Sequence, residues 1–115
     1  IKSAISGQEI FYAQETTTDI TYVEDLVTAL KLSVDTEIKN ETFNISSGHT
    51  VSIKQLAEII TKHYNSTSKL VPVSREKYFP NRGSLSIDKI QTVLGYKRKF
   101  DLFQALEQID PNTIY

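Results

Sequence analysis

Residues 42–64 read TFNISSGHTVSIKQLAEIITKHY, and this stretch decides the fold that the sequence predicts. Polar and apolar side chains alternate over residues 42–45, which is the pattern of a half-buried strand. Residues 46–49 (SSGH) form a turn cluster. Ser52 and Gln55 have the spacing of a capping box, so a helix is expected to begin at Ser52. Its apolar face is broad enough to cover a sheet and comprises Ile53, Leu56, Ala57, Ile60 and Tyr64.

The composition limits the class of protein. A chain of 115 residues forms at most one domain, and a net charge of −1 gives no field that favours nucleic acid or an anionic membrane. No apolar run approaches the roughly 20 residues that cross a bilayer, and residues 1–10 lack the apolar centre of a signal peptide. The absence of cysteine excludes disulfides, thiolate metal ligands and a cysteine nucleophile. We expect a cytoplasmic protein that binds neither nucleic acid nor membrane.

The residues before this stretch predict one strand and one helix. Residues 1–6 look like the end of an element, such as a helix, that stops at Gly7, and residues 9–13 (EIFYA) have the composition of a strand. Residues 14–19 (QETTTD) are interpreted as a polar connection. Thr21 and Glu24 have capping-box spacing and open the helix. Its apolar face comprises Val23, Leu26, Val27, Leu30 and Val34.

The residues after the central helix predict one extended piece and two helices. Residues 70–73 (LVPV) are extended, and Pro72 marks a sheet edge or the start of a turn because proline lacks the ladder donor. Ser86 is expected to cap a helix over residues 87–94, with Gly95 at its C′ position. A further capping box and a proline bound the last helix, namely Asp101, Gln104 and Pro111. The fold class is therefore α+β, with about three short strands and about four helices.

Four segments resemble, in the same order, the C-terminal part of the extended short-chain dehydrogenase/reductase family, the NAD-dependent epimerases and dehydratases of nucleotide sugars. Residues 7–13 (GQEIFYA) are similar to the family's substrate-domain strand, and residues 19–30 (DITYVEDLVTAL) to its RDFxYVxDxxxAxxxA segment. Residues 43–56 (FNISSGHTVSIKQL) resemble yNigsgxxvsixel, and residues 86–96 (SIDKIQTVLGY) resemble DxsKaxxxLGw. The resemblance covers nearly the whole chain.

The resemblance implies that residues 1–115 are the C-terminal substrate-binding domain of a larger chain, a fragment without the dinucleotide-binding Rossmann half. The glycines stand at positions 7, 48, 83 and 95 and form no glycine-rich turn on a strand–helix junction. No tyrosine is followed by a lysine four residues later, so the family's catalytic Tyr-x-x-x-Lys pair is missing. We expect NAD or NADP in the parent enzyme, but no catalytic residue and no bound cofactor in this chain.

The resemblance also implies where a nucleotide sugar would bind. The family holds the nucleotide base by backbone groups of the first strand, so Ile10 and Tyr12 are the expected base contacts. Arginine suits a diphosphate because its planar fork bonds two oxygens at once, and Arg75 and Arg82 lie in the loop where the family has such an arginine. The family's other arginine is replaced by Thr18, which removes one expected contact. A half-buried strand and solvated arginines are the structural alternatives.

Other candidate residues have structural interpretations. Asp25 matches the aspartate of YVxD and is expected near a helix start, where a carboxylate meets the positive end of the dipole. His49 and His63 have no second ligand at metal spacing, so no metal site is expected. The basic residues 96–100 (YKRKF) are interpreted as a solvated connection.

The main hypothesis is the substrate-binding portion of an NAD(P)-dependent nucleotide-sugar epimerase or dehydratase, which contacts base, diphosphate and sugar and is inactive alone. The alternative is a non-catalytic binding or scaffolding module with the fold but not the activity, and Thr18 favours it. The implied partners are a nucleotide sugar and the missing N-terminal dinucleotide-binding half. Without that half an apolar face is uncovered, so we expect self-association or marginal stability.

Overall fold

The computed structural model describes residues 1–74 and 82–113. Within these residues the helices are α1 (Lys2–Ser6), α2 (Val23–Asp35), α3 (Ile53–His63), α4 (Asp88–Leu94) and α5 (Leu102–Glu107), and a 3₁₀ turn spans Pro111–Thr113. The strands are β1 (Ile10–Ala13), β2 (Thr17–Asp19), β3 (Thr50–Ser52) and β4 (Leu70–Val73). The predicted α+β class is confirmed, with one strand and one helix more than expected.

The first sheet is the parallel pair of β1 and β4, in which Ile10 lies opposite Leu70. The backbone N–H of Ile10 donates to the carbonyl of Lys69 at 2.9 Å. Alternate residues of a strand turn their backbone groups to the same neighbour, so Val71 faces β1 and Pro72 faces the opposite edge. The proline therefore removes no hydrogen bond from this sheet, and the predicted edge position of β4 is confirmed.

The second sheet pairs β2 with β3 in antiparallel orientation, with Thr18 opposite Val51. The sequence predicts a polar connection over residues 14–19, and this prediction is wrong for the three residues of β2. Threonine is β-branched and suits a pleated strand, but a polar run this short has no apolar periodicity that would reveal it.

The strand predicted over residues 42–45 does not form in the part of the chain that the structure describes. The alternation that motivates it is real, because Phe43 and Ile45 pack against the core while Thr42 and Asn44 are exposed. Alternation reports which side chains are buried, whereas a strand also needs a neighbour for its backbone, and no described strand lies beside this segment.

Two predicted capping boxes are confirmed. The hydroxyl of Ser52 accepts from the backbone N–H of Gln55, and the Gln55 side chain accepts from the backbone N–H of Ser52, both at 3.0 Å. Asp101 and Gln104 make the same reciprocal pair at 2.8 and 2.9 Å. These bonds satisfy donors of the first helical turn, which is why α3 and α5 begin where the sequence predicts.

The other two predicted caps differ from the structure. Tyr22, not Thr21, is the N-cap of α2, and it makes no side-chain cap bond. The Thr21 hydroxyl does not cap the helix because it donates to Oδ1 of Asp19 at 3.4 Å. The hydroxyl of Ser86 accepts from the backbone N–H of Asp88 at 3.3 Å, and α4 begins one residue later than predicted.

The described core lies between α2, α4 and the segment that follows α4. Ala29, Ile87, Ile90 and Tyr96 form its buried centre. Half-buried side chains pack around this centre, namely Leu32, Phe43, Ile45 and Leu94. The helix α3 lies separately, against β1, β3 and α5.

The molecule exposes more surface than its mass predicts. Its accessible surface is 8157 Å², whereas a folded monomer of 13.0 kDa exposes about 6,300 Å². Its radius of gyration is 16.6 Å, against about 13 Å for a globular chain of this length. Part of the excess is the predicted apolar face of α2, all of which points outward: Val23, Leu26, Val27, Leu30 and Val34. We call these five residues the α2 stripe.

Candidate functional site

The two residues predicted to contact a base lie on β1. Ile10 is half-buried and Tyr12 is buried. The N–H of Ile10 is bonded to Lys69, and Tyr12, two residues further and opposite Pro72, turns its backbone to the same side. The backbone groups of both residues therefore face β4, inside the sheet.

The outer edge of β1 carries the backbone groups of Phe11 and Ala13. These residues alternate with those that bond to β4, so their N–H and C=O groups point away from that strand. No described strand pairs with this edge, and the Phe11 side chain is 64% exposed. An open strand edge can bond an extended or planar ligand through the main chain, and an aromatic ring can stack on it.

Arg82 is exposed, but its main chain is fixed. Its backbone N–H donates to the carbonyl of Thr17 at 3.2 Å, and the Thr17 hydroxyl donates to the carbonyl of Arg82 at 3.4 Å. Among the described residues, the guanidinium pairs with no carboxylate, so it is available to an anion. Arg75, the other predicted phosphate contact, lies outside the described residues.

The segment formed by residues 82–86 is tied down beyond Arg82 as well. Its next bonds lead to the end of β2, to the first residue of the SSGH turn and to Asn44 before that turn. They run from the Ser84 hydroxyl to Oδ2 of Asp19 (2.7 Å), from the Ser46 hydroxyl to the Leu85 carbonyl (2.9 Å) and from the Asn44 amide to the Ser86 carbonyl (3.3 Å). The segment is thus held at both ends and in its middle.

The carboxylate of Asp19 is the centre of this network. Oδ1 accepts from the backbone N–H of Ser47 at 2.8 Å and from the Thr21 hydroxyl, and Oδ2 accepts from Ser84. Burial raises the pKa of Asp19, but hydrogen bonds from the Ser47 N–H and from the hydroxyls of Ser84, Ser47 and Ser46 outweigh burial, and the pKa is lowered. Asp19 is therefore a charged acceptor at neutral pH.

The predicted SSGH turn is confirmed and is held by its own side chains. The Ser46 hydroxyl accepts from the Gly48 N–H at 3.1 Å, and the Ser47 hydroxyl bonds both the N–H and the carbonyl of His49. Nη1 of Arg98 donates to the Ser47 carbonyl at 2.9 Å. This arginine comes from the segment interpreted as a solvated connection, yet it is half-buried and fastens the turn.

Asp25 has the structural role predicted for it, by a different contact. It is completely buried, and its carboxylate accepts from the backbone N–H groups of Lys99 at 2.8 Å and Phe100 at 3.3 Å. Burial, and then the negative charge of Asp25, raise the pKa of Tyr96 in the same segment more than the charge of Arg98 lowers it. The basic segment is therefore anchored by Tyr96, which is buried, and by Arg98, which is half-buried. The interpretation as solvated holds for Lys97 and Lys99, which are exposed, and is wrong for the other two residues.

A mostly apolar cleft of about 910 Å³ opens between α3, α5 and residues 20–23. Val51 and Leu56, which precede and follow the cap of α3 in hydrophobic-staple positions, line it together with Phe103. Among the described residues, Arg98 is the cationic side chain in the wall of the cleft. The lining contains none of the described residues that the sequence predicts as substrate contacts.

Neither histidine belongs to a metal site in the part of the chain that the structure describes, where no group of three or more His, Asp or Glu could hold an ion. His63 is half-buried, as predicted, and its ring meets Tyr64 edge-on with centroids 4.7 Å apart. No described helix is both long and apolar enough to cross a membrane.

The sequence analysis missed Phe11 and Asp19. Phe11 could not be chosen over its neighbours because the open edge of β1 is known only once its pairing with β4 is known. Asp19 had a readable signal, since a carboxylate ends a run of three threonines and begins the DITYVED segment. Its partner Ser84 is 65 residues away, and no local pattern connects the two.

Comparison with known proteins places the fold among nucleotide-sugar enzymes. No protein-family model matches the chain. Over 83 residues the chain is 32% identical to UDP-N-acetyl-alpha-D-glucosaminuronate decarboxylase of Bacillus cytotoxicus. The matched stretch covers 70% of this chain and 26% of that protein.

Solved structures agree over a longer stretch. UDP-glucose 4-epimerase of Thermotoga maritima, solved with UDP-glucose, superposes with a TM-score of 0.84 and 24% identity over 92% of this chain and 35% of the epimerase. UDP-glucuronic acid 4-epimerase of Bacillus cereus, solved with UDP-glucuronic acid and NAD, superposes with a TM-score of 0.81 and 20% identity over 92% of this chain and 35% of that enzyme. The chain thus spans between about a quarter and about a third of the length of these enzymes.

Proposed function

Because sequence and fold relate this chain to the nucleotide-sugar enzymes of the extended short-chain dehydrogenase/reductase family, we propose that it is the substrate-binding portion of such an enzyme. In this proposal it contacts the base, the diphosphate and the sugar of a UDP-sugar. The transient oxidation of the sugar by NAD or NADP, and the Tyr-x-x-x-Lys proton transfer, belong to a dinucleotide-binding part that the present sequence does not contain. The chain alone is then inactive.

One observation carries the proposal. The superposition covers 92% of this chain on an epimerase solved with UDP-glucose, and the same stretch is only 35% of that enzyme. A match of this kind corresponds to one continuous portion of a larger enzyme rather than to a complete one. The family's motifs are absent from this chain where they concern the cofactor and present where they concern the substrate domain.

We assign the base to the outer edge of β1. The main-chain groups of Phe11 and Ala13 can bond the polar edge of a pyrimidine, and the exposed Phe11 ring can stack on its face. This assignment moves the contact by one residue from Ile10 and Tyr12, because the backbones of those two residues face β4.

We assign the diphosphate to Arg82. Its guanidinium is exposed and its main chain is fixed on β2, so it can meet two phosphate oxygens at once. Thr18 stands where the family has a second arginine, which leaves Arg82 a larger share of the charge neutralisation. The proposed contact from Arg75 depends on the sequence pattern alone.

The test is an NMR titration of the chain with UDP, dTDP, GDP and NAD. The proposal predicts shifts of the Phe11, Ala13 and Arg82 amides with UDP, weaker shifts with the other nucleoside diphosphates and none specific to NAD. Uridine is the matched control, and it should move Phe11 and Ala13 but not Arg82. If none of the nucleotides shifts these amides, the chain does not bind a nucleotide sugar by itself.

The alternative is a non-catalytic binding or scaffolding module, which the replacement of the family arginine by Thr18 favours. The coding sequence upstream of Ile1 distinguishes the two. A glycine-rich turn and a Tyr-x-x-x-Lys pair in that sequence support the enzyme, and an unrelated sequence supports the module.

We also propose that the α2 stripe and the adjoining cleft are the surface on which the dinucleotide-binding part packs. Val23 belongs to the stripe and also lines the cleft, so the two form one continuous apolar surface. The excess of accessible area over that of a compact monomer is about 1,850 Å² for the whole chain, and the stripe is part of it. A standard interface takes roughly 800 Å² from each partner. In the isolated chain, a second copy takes this place and the chain self-associates.

A further inference from the structure

We infer that Asp19 is a positioning residue for Arg82, because through Ser84 it fixes the segment that presents the arginine side chain to an anionic ligand. The inference rests on the proposed function, which supplies the ligand, a nucleoside diphosphate. Asp19 itself touches no ligand in this scheme, and its effect on binding passes through Ser84 and the main chain of residues 82–86.

The segment formed by residues 82–86 is anchored at both ends of β2. Arg82 is bonded to Thr17, the first residue of that strand, and Ser84 is bonded to Asp19, the last. The segment therefore lies along the whole length of β2. Two fixed points at this spacing define the direction of the main chain at Arg82, and the direction of the main chain determines where its side chain starts.

Between those anchors the main chain of the segment has little to restrain its conformation. Gly83 has no side chain, and nothing lies within 4 Å of the position that a Cβ would occupy. Glycine has the largest backbone freedom of any residue. Without the bond from Ser84 to Asp19, the segment after Arg82 is held next by Ser46, whose hydroxyl lies 3.4 Å from the Ser84 hydroxyl and donates to the Leu85 carbonyl at 2.9 Å.

The Asp19 carboxylate accepts strong hydrogen bonds. The bonds from Ser84 at 2.7 Å and from the Ser47 N–H at 2.8 Å are short, as expected for a charged acceptor. The lowered pKa of Asp19 is consistent with an ionised carboxylate at this place. A charged acceptor that receives three donors has a well-defined orientation, so it can hold Ser84 in one place.

Positioning matters for arginine in particular. A guanidinium binds phosphate most strongly when both of its N–H groups meet oxygens in one plane. A long side chain that starts from a mobile main chain loses more conformational entropy on binding, which lowers the affinity. Fixing the main chain at Arg82 removes part of that loss before the ligand arrives.

The two arms of Asp19 allow positioning to be separated from general stabilisation. The arm to Ser47 holds the SSGH turn, whereas the arm to Ser84 leads to Arg82. Ser84→Ala removes the second arm, together with the weaker 3.4 Å contact between the Ser84 and Ser46 hydroxyls, and it keeps Asp19 in place. Ser86→Ala is the matched control, because Ser86 belongs to the same segment but its hydroxyl bonds Asp88 instead of Asp19.

The experiment is a calorimetric titration of the 115-residue chain and its variants with UDP and with uridine. We expect Asp19→Ala and Ser84→Ala to weaken UDP binding by about tenfold while uridine binding changes by less than about twofold. Asp19→Asn should bind UDP nearly as wild type does, because its amide can accept from Ser47 and donate to Ser84. Ser86→Ala should equal wild type.

Two outcomes overturn the inference. The first is an equal loss of UDP binding and of uridine binding in Ser84→Ala, which is the signature of a general loss of structure. The second is unchanged UDP binding in both Ser84→Ala and Asp19→Ala. If Asp19→Ala does not fold, Ser84→Ala alone decides between these results.

A second readout separates this inference from the proposed function. If the wild-type chain binds no UDP, the proposed function fails, and hydrogen exchange at the Arg82 amide still tests Asp19. Ser84→Ala should accelerate that exchange by about tenfold relative to wild type, and Ser86→Ala should leave it unchanged. Equal exchange rates in wild type and Ser84→Ala overturn the positioning role whether or not UDP binds.

Discussion

The carboxylate of Asp25 accepts a hydrogen bond from the backbone N–H of Lys99 at 2.8 Å, although 74 positions separate the two residues in the sequence. This bond, with a second from the Phe100 N–H, joins α2 to the segment between α4 and α5. It closes the chain over Tyr96, the largest of the fully buried side chains.

Replacing Asp25 by alanine is expected to be strongly destabilising. The change leaves two partly buried backbone N–H groups without their acceptor, and it lowers the free energy of unfolding by about 3 kcal/mol. Urea denaturation followed by circular dichroism measures the loss. Glu24→Ala is the control, because Glu24 is an exposed acid in the same helical turn. Similar losses in both variants would mean that helix-terminal charge, and not the bond to Lys99, explains the effect.

Asp19 should make the stability of the fold depend on pH. Burial raises its pKa, but the hydrogen bonds of its carboxylate lower the pKa by more. A lowered pKa in the folded state stabilises the protein above the unfolded pKa of about 3.9, and this contribution disappears as the pH falls through the folded value. We expect the difference in unfolding free energy between wild type and Asp19→Asn to be largest near neutral pH.

Urea denaturation of both proteins at a series of pH values from neutral to strongly acidic checks this expectation. The two unfolding free energies should converge as the pH falls below the pKa of the unfolded carboxyl group. A difference that stays constant across the series would show that the carboxylate charge does not contribute, and that the lowered pKa of Asp19 is not coupled to folding.

Gly95 and Gly83 form a matched pair for measuring the cost of a left-handed turn. Gly95 follows α4 with a φ of 65°, whereas Gly83 has no positive φ, and neither has an atom near the position of an added Cβ. Gly95→Ala should therefore cost about 1 kcal/mol of purely conformational origin. Gly83→Ala should lie within about 0.5 kcal/mol of wild type. Equal melting temperatures of the two variants would contradict the assigned backbone conformation.

The features that sequence reasoning predicted correctly are those that a few neighbouring residues decide. The Ser52–Gln55 box and the glycine after α4 are set within one turn of helix, so their spacing is sufficient evidence. The strand over residues 42–45 failed because a strand is a property of two segments. β2 was missed for the same reason, since its partner β3 is more than thirty residues further along the chain.

The candidate site shows the same limit. Arginine and aspartate could be chosen by type, but the connection from Asp19 through Ser84 to Arg82 spans 65 residues and has no periodicity. The open edge of β1 follows from its register with β4, and that register shifts the proposed base contact from Tyr12 to Phe11. A shift by one residue exchanges the two edges of a strand, so the correct strand is not yet the correct contact.

The α2 stripe should govern the association state of the isolated chain. Leu30 lies in the middle of the stripe and is 52% exposed, so Leu30→Glu places a charge where a second copy would pack. We expect the weight-average mass in sedimentation equilibrium to fall toward that of a 13.0 kDa monomer. Lys31→Glu is the control, since it changes charge at an exposed neighbour outside the stripe. If wild type is already monomeric at high concentration, the stripe does not drive self-association.

The assignment of the base to the outer edge of β1 can be tested at a single backbone N–H. Proline at position 11 removes the N–H of Phe11 without loss of a bond to β4, because that group points away from the strand. Phe11→Ala keeps the N–H and removes the ring, so the comparison of Phe11→Pro with Phe11→Ala isolates the main-chain donor. We expect Phe11→Pro to bind both UDP and uridine about fivefold more weakly than Phe11→Ala.

The parallel loss of UDP and uridine is the informative part, because a base contact affects both ligands, whereas the Arg82 contact affects only the diphosphate. Tyr12→Pro is the contrasting variant. The N–H of Tyr12 faces β4, so the loss of this donor should lower the melting temperature of the chain. The melting temperature of Phe11→Pro should stay near that of Phe11→Ala. Equal affinities of Phe11→Pro and Phe11→Ala would remove the Phe11 donor from the site.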